Sequence, residues 1–191
     1  MNDCEQMWAS DWGDRYTERN RVDWRLRIPF WREIGVQTGA HSAFEIGANA
    51  GWNLLALREL GAHVSGVDLN LTAIREAQEH GLDVRMCPAE RVGELWPLCA
   101  DLVFTAGCLI HVPPEQLPGV MASIIQASRR WVLAVEYAAE AEEMVEYRGN
   151  ADRLWRRPFG RLYEELGLVP RIEMDAGPAF DQCRAWLLER I

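Results

Sequence analysis

The stretch that most constrains this chain is Phe44-Glu45-Ile46-Gly47-Ala48-Asn49-Ala50-Gly51, read together with Gly66-Val67-Asp68. An apolar run climbs to a turn of small residues. A helix-like segment follows, and a second apolar run ends in an acid. That is the opening half of a nucleoside-binding α/β domain. The turn also selects among nucleosides. Asn49 stands where a dinucleotide fingerprint has its second glycine, and Trp52 where it has the third. The second glycine lets backbone approach a pyrophosphate, and the third lets helix pack close to strand. A chain lacking both is suited to a nucleoside without phosphates.

Downstream the pattern repeats. Apolar runs at Ala43–Ile46, His63–Val67, Asp83–Cys87, Asp101–Thr105 and Trp131–Glu136 predict strands. Helical segments are predicted at Trp52–Leu60, Leu71–His80, Pro114–Ser128 and Asp152–Leu166, three of them closed by Gly61, Gly81 and Gly167. Strands alternating with helices imply a parallel sheet covered on both faces. Val169–Met174 and Cys183–Glu189 are separated only by a loop with Gly177 and Pro178, so they form a hairpin and one of them runs antiparallel. Before residue 40 the chain reads as helical. Asp14 is placed to cap a helix running through Arg19-Asn20-Arg21, Pro29 to start a second helix, and Gly39 to end it. The expected fold is α/β: a Rossmann-like seven-strand, mostly parallel sheet with helices on both faces and a C-terminal antiparallel hairpin, preceded by N-terminal helices. The 191 residues suit one domain, with 1–40 as a helical lid and 41–191 as the Rossmann-like core.

Composition narrows the partners. The net charge is −9, which argues against a nucleic-acid binder, since such proteins usually carry a basic face. No apolar run approaches the roughly 20 residues of a membrane span. The polar, acidic N-terminus lacks a signal-peptide pattern. The five cysteines are odd in number and form no C-x-x-C pair, so neither a metal site nor a disulfide framework is expected, and a reducing cytoplasm fits. Of nine tryptophans, Trp8, Trp12, Trp24 and Trp31 crowd the first segment. They read equally as core packing and as walls of a ligand cleft.

In such a sheet, ligands collect at the carboxyl ends of the strands. Glu45, Gly47, Asn49 and Gly51 surround the first strand-to-helix turn. S-adenosylmethionine (SAM) is the commonest phosphate-free nucleoside, and an acid at Glu45 suits its ammonium and sulfonium. Asp68, followed by Leu69, sits at the spacing of a ribose-binding acid, and a carboxylate can accept from two hydroxyls at once. Asn70 is the better-placed cap for the next helix, which leaves Asp68 for the sugar. Ala89 and Glu90 lie where a loop would cover the adenine. Ala106 and Gly107 let the loop after the fourth strand pass close to a cofactor. His111, just beyond, either accepts a proton from a nucleophile or holds this loop in place. Tyr16, Arg19, Asn20, Glu136, Tyr147 and Arg148 are candidates for acceptor contacts, and Glu136, Tyr147 and Arg148 read also as surface residues. Arg148 in particular offers a fork that binds two oxygens.

Four stretches carry a family resemblance: Trp8–Asn20 (WASDWGDRYTERN), Phe44–Leu57 (FEIGANAGWNLLAL), Asp101–Glu115 (DLVFTAGCLIHVPPE) and Glu146–Leu154 (EYRGNADRL). The chain resembles class I SAM-dependent methyltransferases. More narrowly, it is similar to the methylases named for their association with pseudaminic acid biosynthesis. That family usually has phenylalanine at Trp12, lysine near Ala106 and histidine at Asn150, positions facing the presumed acceptor. The resemblance implies SAM as cofactor and methyl transfer to a small polar acceptor such as a sugar, an amino acid or a related metabolite, by a monomer or homodimer. Three alternatives stay open: transfer of a larger group from a carboxylated SAM, which Arg19 or Arg148 near the sulfonium would favour; action on a macromolecule such as RNA; and SAM binding without catalysis.

Overall fold

The computed structural model describes residues 3–150 and 152–191. Two helices open the chain, α1 (Asp3–Trp8) and α2 (Asp11–Arg19), followed by a 3₁₀ turn at Trp24–Arg27 and α3 (Ile28–Thr38). Then come β1 (Ser42–Ile46), α4 (Trp52–Glu59), β2 (His63–Asp68), α5 (Leu71–Glu79) and β3 (Asp83–Met86). After α6 (Val92–Leu95) follow β4 (Ala100–Ala106), α7 (Leu117–Ala127) and β5 (Ser128–Glu136). The chain ends with β6 (Glu143–Met144), β7 (Trp155–Arg156), α8 (Phe159–Glu165), β8 (Val169–Asp175) and β9 (Arg184–Glu189).

Seven strands form one sheet in the order β3-β2-β1-β4-β5-β9-β8. The first five run parallel, and β9 is antiparallel to both β5 and β8. The order reverses between β1 and β4, which opens a crevice at their carboxyl ends. Alternation with period two splits the interior. Leu102, Phe104, Leu133 and Val135 join the core under α3, α4 and α5. Their neighbours Val103, Val132 and Ala134 join the core under α6, α7 and α8. Both faces of the sheet are thus buried, as a parallel sheet requires. No helix among the described residues is long and apolar enough to cross a membrane.

Three local expectations fail. Asp14 does not cap α2. Ser10 does, accepting the Trp12 N–H at 3.3 Å, while the Asp14 carboxylate receives the Asn70 side chain at 2.9 Å. The helix expected over Asp152–Leu166 begins only at Phe159, because Pro158 interrupts it. Residues 155–156 instead pair with Glu143–Met144 as a short hairpin. The helix expected from Pro114 starts at Leu117, preceded by a 3₁₀ turn over Leu109–His111.

Candidate active site

The crevice holds a cavity of about 180 Å³, walled by the loops after β1, β2, β3 and β4 and roofed by α1 and α2. Its floor is the first turn. Gly47 takes φ +77°, and a Cβ there would press on the Cys108 side chain at 2.7 Å. The N–H groups of Gly47 and Ala48 both donate to Val67 O at 2.9 Å, which stitches the turn to β2. Asn49 replaces a glycine yet keeps the left-handed backbone, with φ +48°; asparagine tolerates this better than most residues. Its side chain donates to Thr17 Oγ1 at 2.9 Å, tying floor to roof.

Two carboxyls stand on this floor. Glu45 is buried and accepts the Asn53 amide at 2.6 Å through Oε1. Its Oε2 has no hydrogen-bond partner among the described residues. Burial pushes its pKa up to about 8, opposed by Asn53 and by the nearby Arg27 guanidinium. Arg27 donates to Asn53 Oδ1 at 2.9 Å and to Ala179 O at 3.3 Å, and it lines the same cavity. Asp68 accepts the Asn49 N–H at 2.7 Å and the Asn70 N–H at 2.8 Å, one on each oxygen. Burial raises its pKa and these backbone bonds oppose the rise. Asp68 is therefore not left idle by the Asn70 cap. Four lone-pair sites minus two such bonds still leave acceptor capacity on the cavity side.

The loop after β4 is held from both sides by buried polar side chains. Glu136 accepts the N–H groups of Cys108, Leu109 and Ile110 at 3.2, 3.1 and 3.3 Å. Arg157, fully buried, donates to the carbonyls of Leu109 and Val112 at 3.0 and 2.9 Å and pairs with Glu142. This clamp presents Ala106, Gly107 and His111 to the cavity. Gly107, at φ +65°, has nothing within 4 Å of where a Cβ would stand. His111 Nδ1 lies 2.6 Å from Arg153 O, so this nitrogen carries the proton and Nε2 is the acceptor. Burial pushes the imidazole pKa down to about 4. The Cys108 thiol is pushed well up by burial, which removes it as a thiolate nucleophile.

The roof is fastened by polar contacts. Asn70 caps α5 through Oδ1, which accepts the Ala73 N–H at 2.8 Å. Its amide reaches Trp8 O at 3.2 Å and Asp14 at 2.9 Å. Cys4 donates to His111 O at 3.1 Å. Trp8, Tyr16 and Asn20 thereby line the cavity from above.

Glu45, Gly47, Asn49, Asp68 and Leu69 thus share one cavity with Ala89 and Glu90, Ala106 and Gly107, His111, and Tyr16 and Asn20. Five expected contacts lie elsewhere. Gly51 faces Leu82 and Ala77 rather than the cavity, so its job is packing α4 against α5 and the turn after it. Glu136 is fully buried beneath the loop, where it accepts the three N–H groups above. Arg19 is exposed on the outer side of α2, 6.0 Å from the Trp12 ring. Arg148 sits on an exposed turn, and its guanidinium covers the Tyr147 ring. Tyr147 packs behind the wall, against Trp12 and His111. The tryptophans divide. Trp8 and Trp52 line the cavity, whereas Trp31 is fully buried in the core. Sequence reasoning missed Arg27 and Asn53. Asn53 had a signal, an amide inside the buried apolar run of α4; Arg27 had none, because a 3₁₀ turn rather than a pattern points it inward.

Residues 44–132 match a family described as a methyltransferase domain. No curated protein matches the chain in sequence. Among solved structures, the chain is similar to the 1,6-didemethyltoxoflavin N1-methyltransferase of Burkholderia thailandensis, with bound 1,6-didemethyltoxoflavin and S-adenosylhomocysteine (SAH): TM-score 0.75, 17% identity, covering 97% of this chain and 86% of that one. It is also similar to magnesium protoporphyrin IX methyltransferase from Synechocystis PCC 6803 with bound SAH, at TM-score 0.73 and 16% identity, covering 98% of each chain. A SAM-dependent methyltransferase from Archaeoglobus fulgidus aligns at TM-score 0.69 and 16% identity, over 94% of this chain and 100% of that one. At these identities the likeness establishes the shared fold.

Proposed function

We propose that the chain transfers a methyl group from SAM to a small-molecule acceptor. The observation that carries this reading is the pair of carboxyls on one cavity floor, Glu45 and Asp68, each with unfilled acceptor capacity beside a glycine-bearing, left-handed turn. The match of residues 44–132 to a methyltransferase domain supports it. So do the ligands of the similar structures, two of which contain SAH. The donor set fits SAM. Glu45 Oε2 is a buried acceptor for an ammonium, and Arg27 beside it is a donor for a carboxylate. Asp68 suits ribose hydroxyls, and Ala89 and Glu90 the adenine. SAM supplies an electrophilic sulfonium methyl, so the protein's task is to align a nucleophile and exclude water. The roof of α1 and α2 does the excluding, and the Glu136–Arg157 clamp fixes the loop that bears His111. An imidazole held neutral down to about pH 4 is a weak base. His111 therefore serves through Nε2, accepting a hydrogen bond from the nucleophile.

Plain SAM is favoured over a carboxylated form, because Arg19 and Arg148 both lie outside the cavity. The narrower resemblance to pseudaminic-acid-associated methylases rests on the sequence stretches, two of which build the roof and, at residues 146–150 and 152–154, the segment behind His111. A reduced cytoplasmic setting agrees with five free cysteines. The decisive test is calorimetric titration with SAH, then with Asp68→Ala. Loss of two charge-assisted bonds of about 1.5–3 kcal/mol each weakens affinity by at least an order of magnitude. Unchanged affinity in the variant refutes the ribose assignment, and no SAH binding by the parent refutes the reading.

A further inference from the structure

Among the described residues, the acceptor side of the cavity is lined by aromatic rings and by no cation. Trp8 stands edge-on to Tyr16, with ring centres 5.0 Å apart, and tilts over His111 at 4.7 Å. All three line the cavity. The chain contains no lysine, so arginines are its only permanently charged side-chain cations. Among the described residues, Arg27 is the one arginine lining the cavity, and Asn53 and Ala179 O hold it at the Glu45 end. Arg153, behind His111, pairs with Asp152. The carboxyl side chains lining the cavity are Glu5, Glu45, Asp68 and Glu90.

These walls select by charge. An anion entering here would lose its hydration with no cation on the acceptor side to replace it, which is costly in a buried site. A planar or cationic group gains instead, from ring stacking and from attraction to the aromatic faces. The walls also select by nucleophile. An alcohol needs a base to take its proton as it attacks. Here the imidazole is held neutral to about pH 4, and burial pushes the Tyr16 phenol and the Cys108 thiol up. An amine nitrogen in its neutral form attacks with a lone pair it already has.

We propose that the methyl acceptor is a basic amine carried on a flat aromatic or heterocyclic ring, received between Trp8, Tyr16 and His111. This rests on the methyl-transfer reading above. In the step, the bound ammonium first gives one proton to solvent, and the freed nitrogen lone pair forms the new N–CH₃ bond. The S–CH₃ bond breaks with its electron pair left on sulfur, giving SAH. The surplus N–H proton leaves to solvent.

The test uses the full chain saturated with SAH and matched pairs of probes, each one ring system carrying either an amine or a carboxylate: tyramine with 4-hydroxyphenylacetate, tryptamine with indole-3-acetate, histamine with imidazole-4-acetate. Affinities are read by ligand-observed NMR. The expected result is at least about tenfold tighter binding of the amine in one pair or more, with Trp8→Ala, again at saturating SAH, erasing the preference and Trp8→Phe restoring most of it. Three results overturn the proposal while leaving methyl transfer standing: acids binding as tightly as amines, no probe binding to a protein that does bind SAH, or Trp8→Ala keeping the preference. Failure of SAH itself to bind overturns both.

Discussion

Replacing Gly51 with alanine separates a glycine that packs from one that touches a ligand. Gly51 is fixed at φ +83°, a backbone region that costs an L-residue roughly 1–2 kcal/mol. A Cβ there would overlap Leu82 Cδ1 outright and lie 3.6 Å from Ala77 Cβ. Both neighbours are buried, at 5% and 0% exposure, so neither has room to retreat. Overpacking of this kind costs about 1–3 kcal/mol. Together the two terms predict about 2–5 kcal/mol of destabilisation. In a chain of this size each kcal/mol lowers Tm by roughly 2–4 °C, so the drop is roughly 4–20 °C. Calorimetric unfolding measures it, and SAH titration well below the transition measures binding in the same variant. The expected pair of results is a large fall in Tm with near-parental affinity. Adding Leu82→Ala should be less than additive, because the two sites share one contact. An unchanged Tm refutes the packing argument. Lost affinity at a preserved Tm returns Gly51 to the ligand.

Two further outcomes follow from the same geometry. The folded chain refuses a proton on His111 until about pH 4, whereas the unfolded chain takes it up near pH 6.5. His111 thus contributes stability that is present above pH 6.5 and lost as pH falls toward 4, up to about 3 kcal/mol. Urea unfolding of the parent and His111→Gln at pH 7 and pH 4.5 should show the difference shrinking at the lower pH; a constant difference counts against a buried neutral imidazole. Asn70→Ala removes both the α5 cap, worth about 1 kcal/mol, and the tie to Trp8 O and Asp14. Amide exchange across Asp3–Arg19 should then quicken more than exchange in β1 and β4, and equal protection would show that the roof does not depend on Asn70.

Residues 42–136 were legible almost strand by strand, because a sheet buried on both faces writes short apolar runs between glycine-closed helices. The segment 138–158 was not legible. Its two-residue strands are too short to leave a period, and Pro158 delays α8 in a stretch whose composition otherwise suits a helix. Among the residues that line the cavity, the positions of Glu45, Gly47, Asn49 and Asp68 could be read, since each sits at a fixed offset from a strand end. Glu136 and Arg148 were misread, because sequence gives the end of a strand or the place of a turn but not the direction of a side chain. Glu136 turns under the β4 loop to meet three N–H groups, and Arg148 lies over Tyr147.

The chain's linear order determined its layers, its antiparallel final hairpin and the acid-bearing turns at the strand ends, because periodicity and turn chemistry are local properties. Tertiary structure alone decided which polar groups meet. Packing α1 and α2 over the crevice placed Trp8 and Tyr16 above the Glu45–Asp68 floor, the 3₁₀ turn at Trp24–Arg27 brought Arg27 inward to Asn53 and Ala179, and Arg19 and Arg148 stayed in water. Burial, which exists only once those layers close, then shifted the pKa values of Glu45 and His111 away from their ordinary ranges.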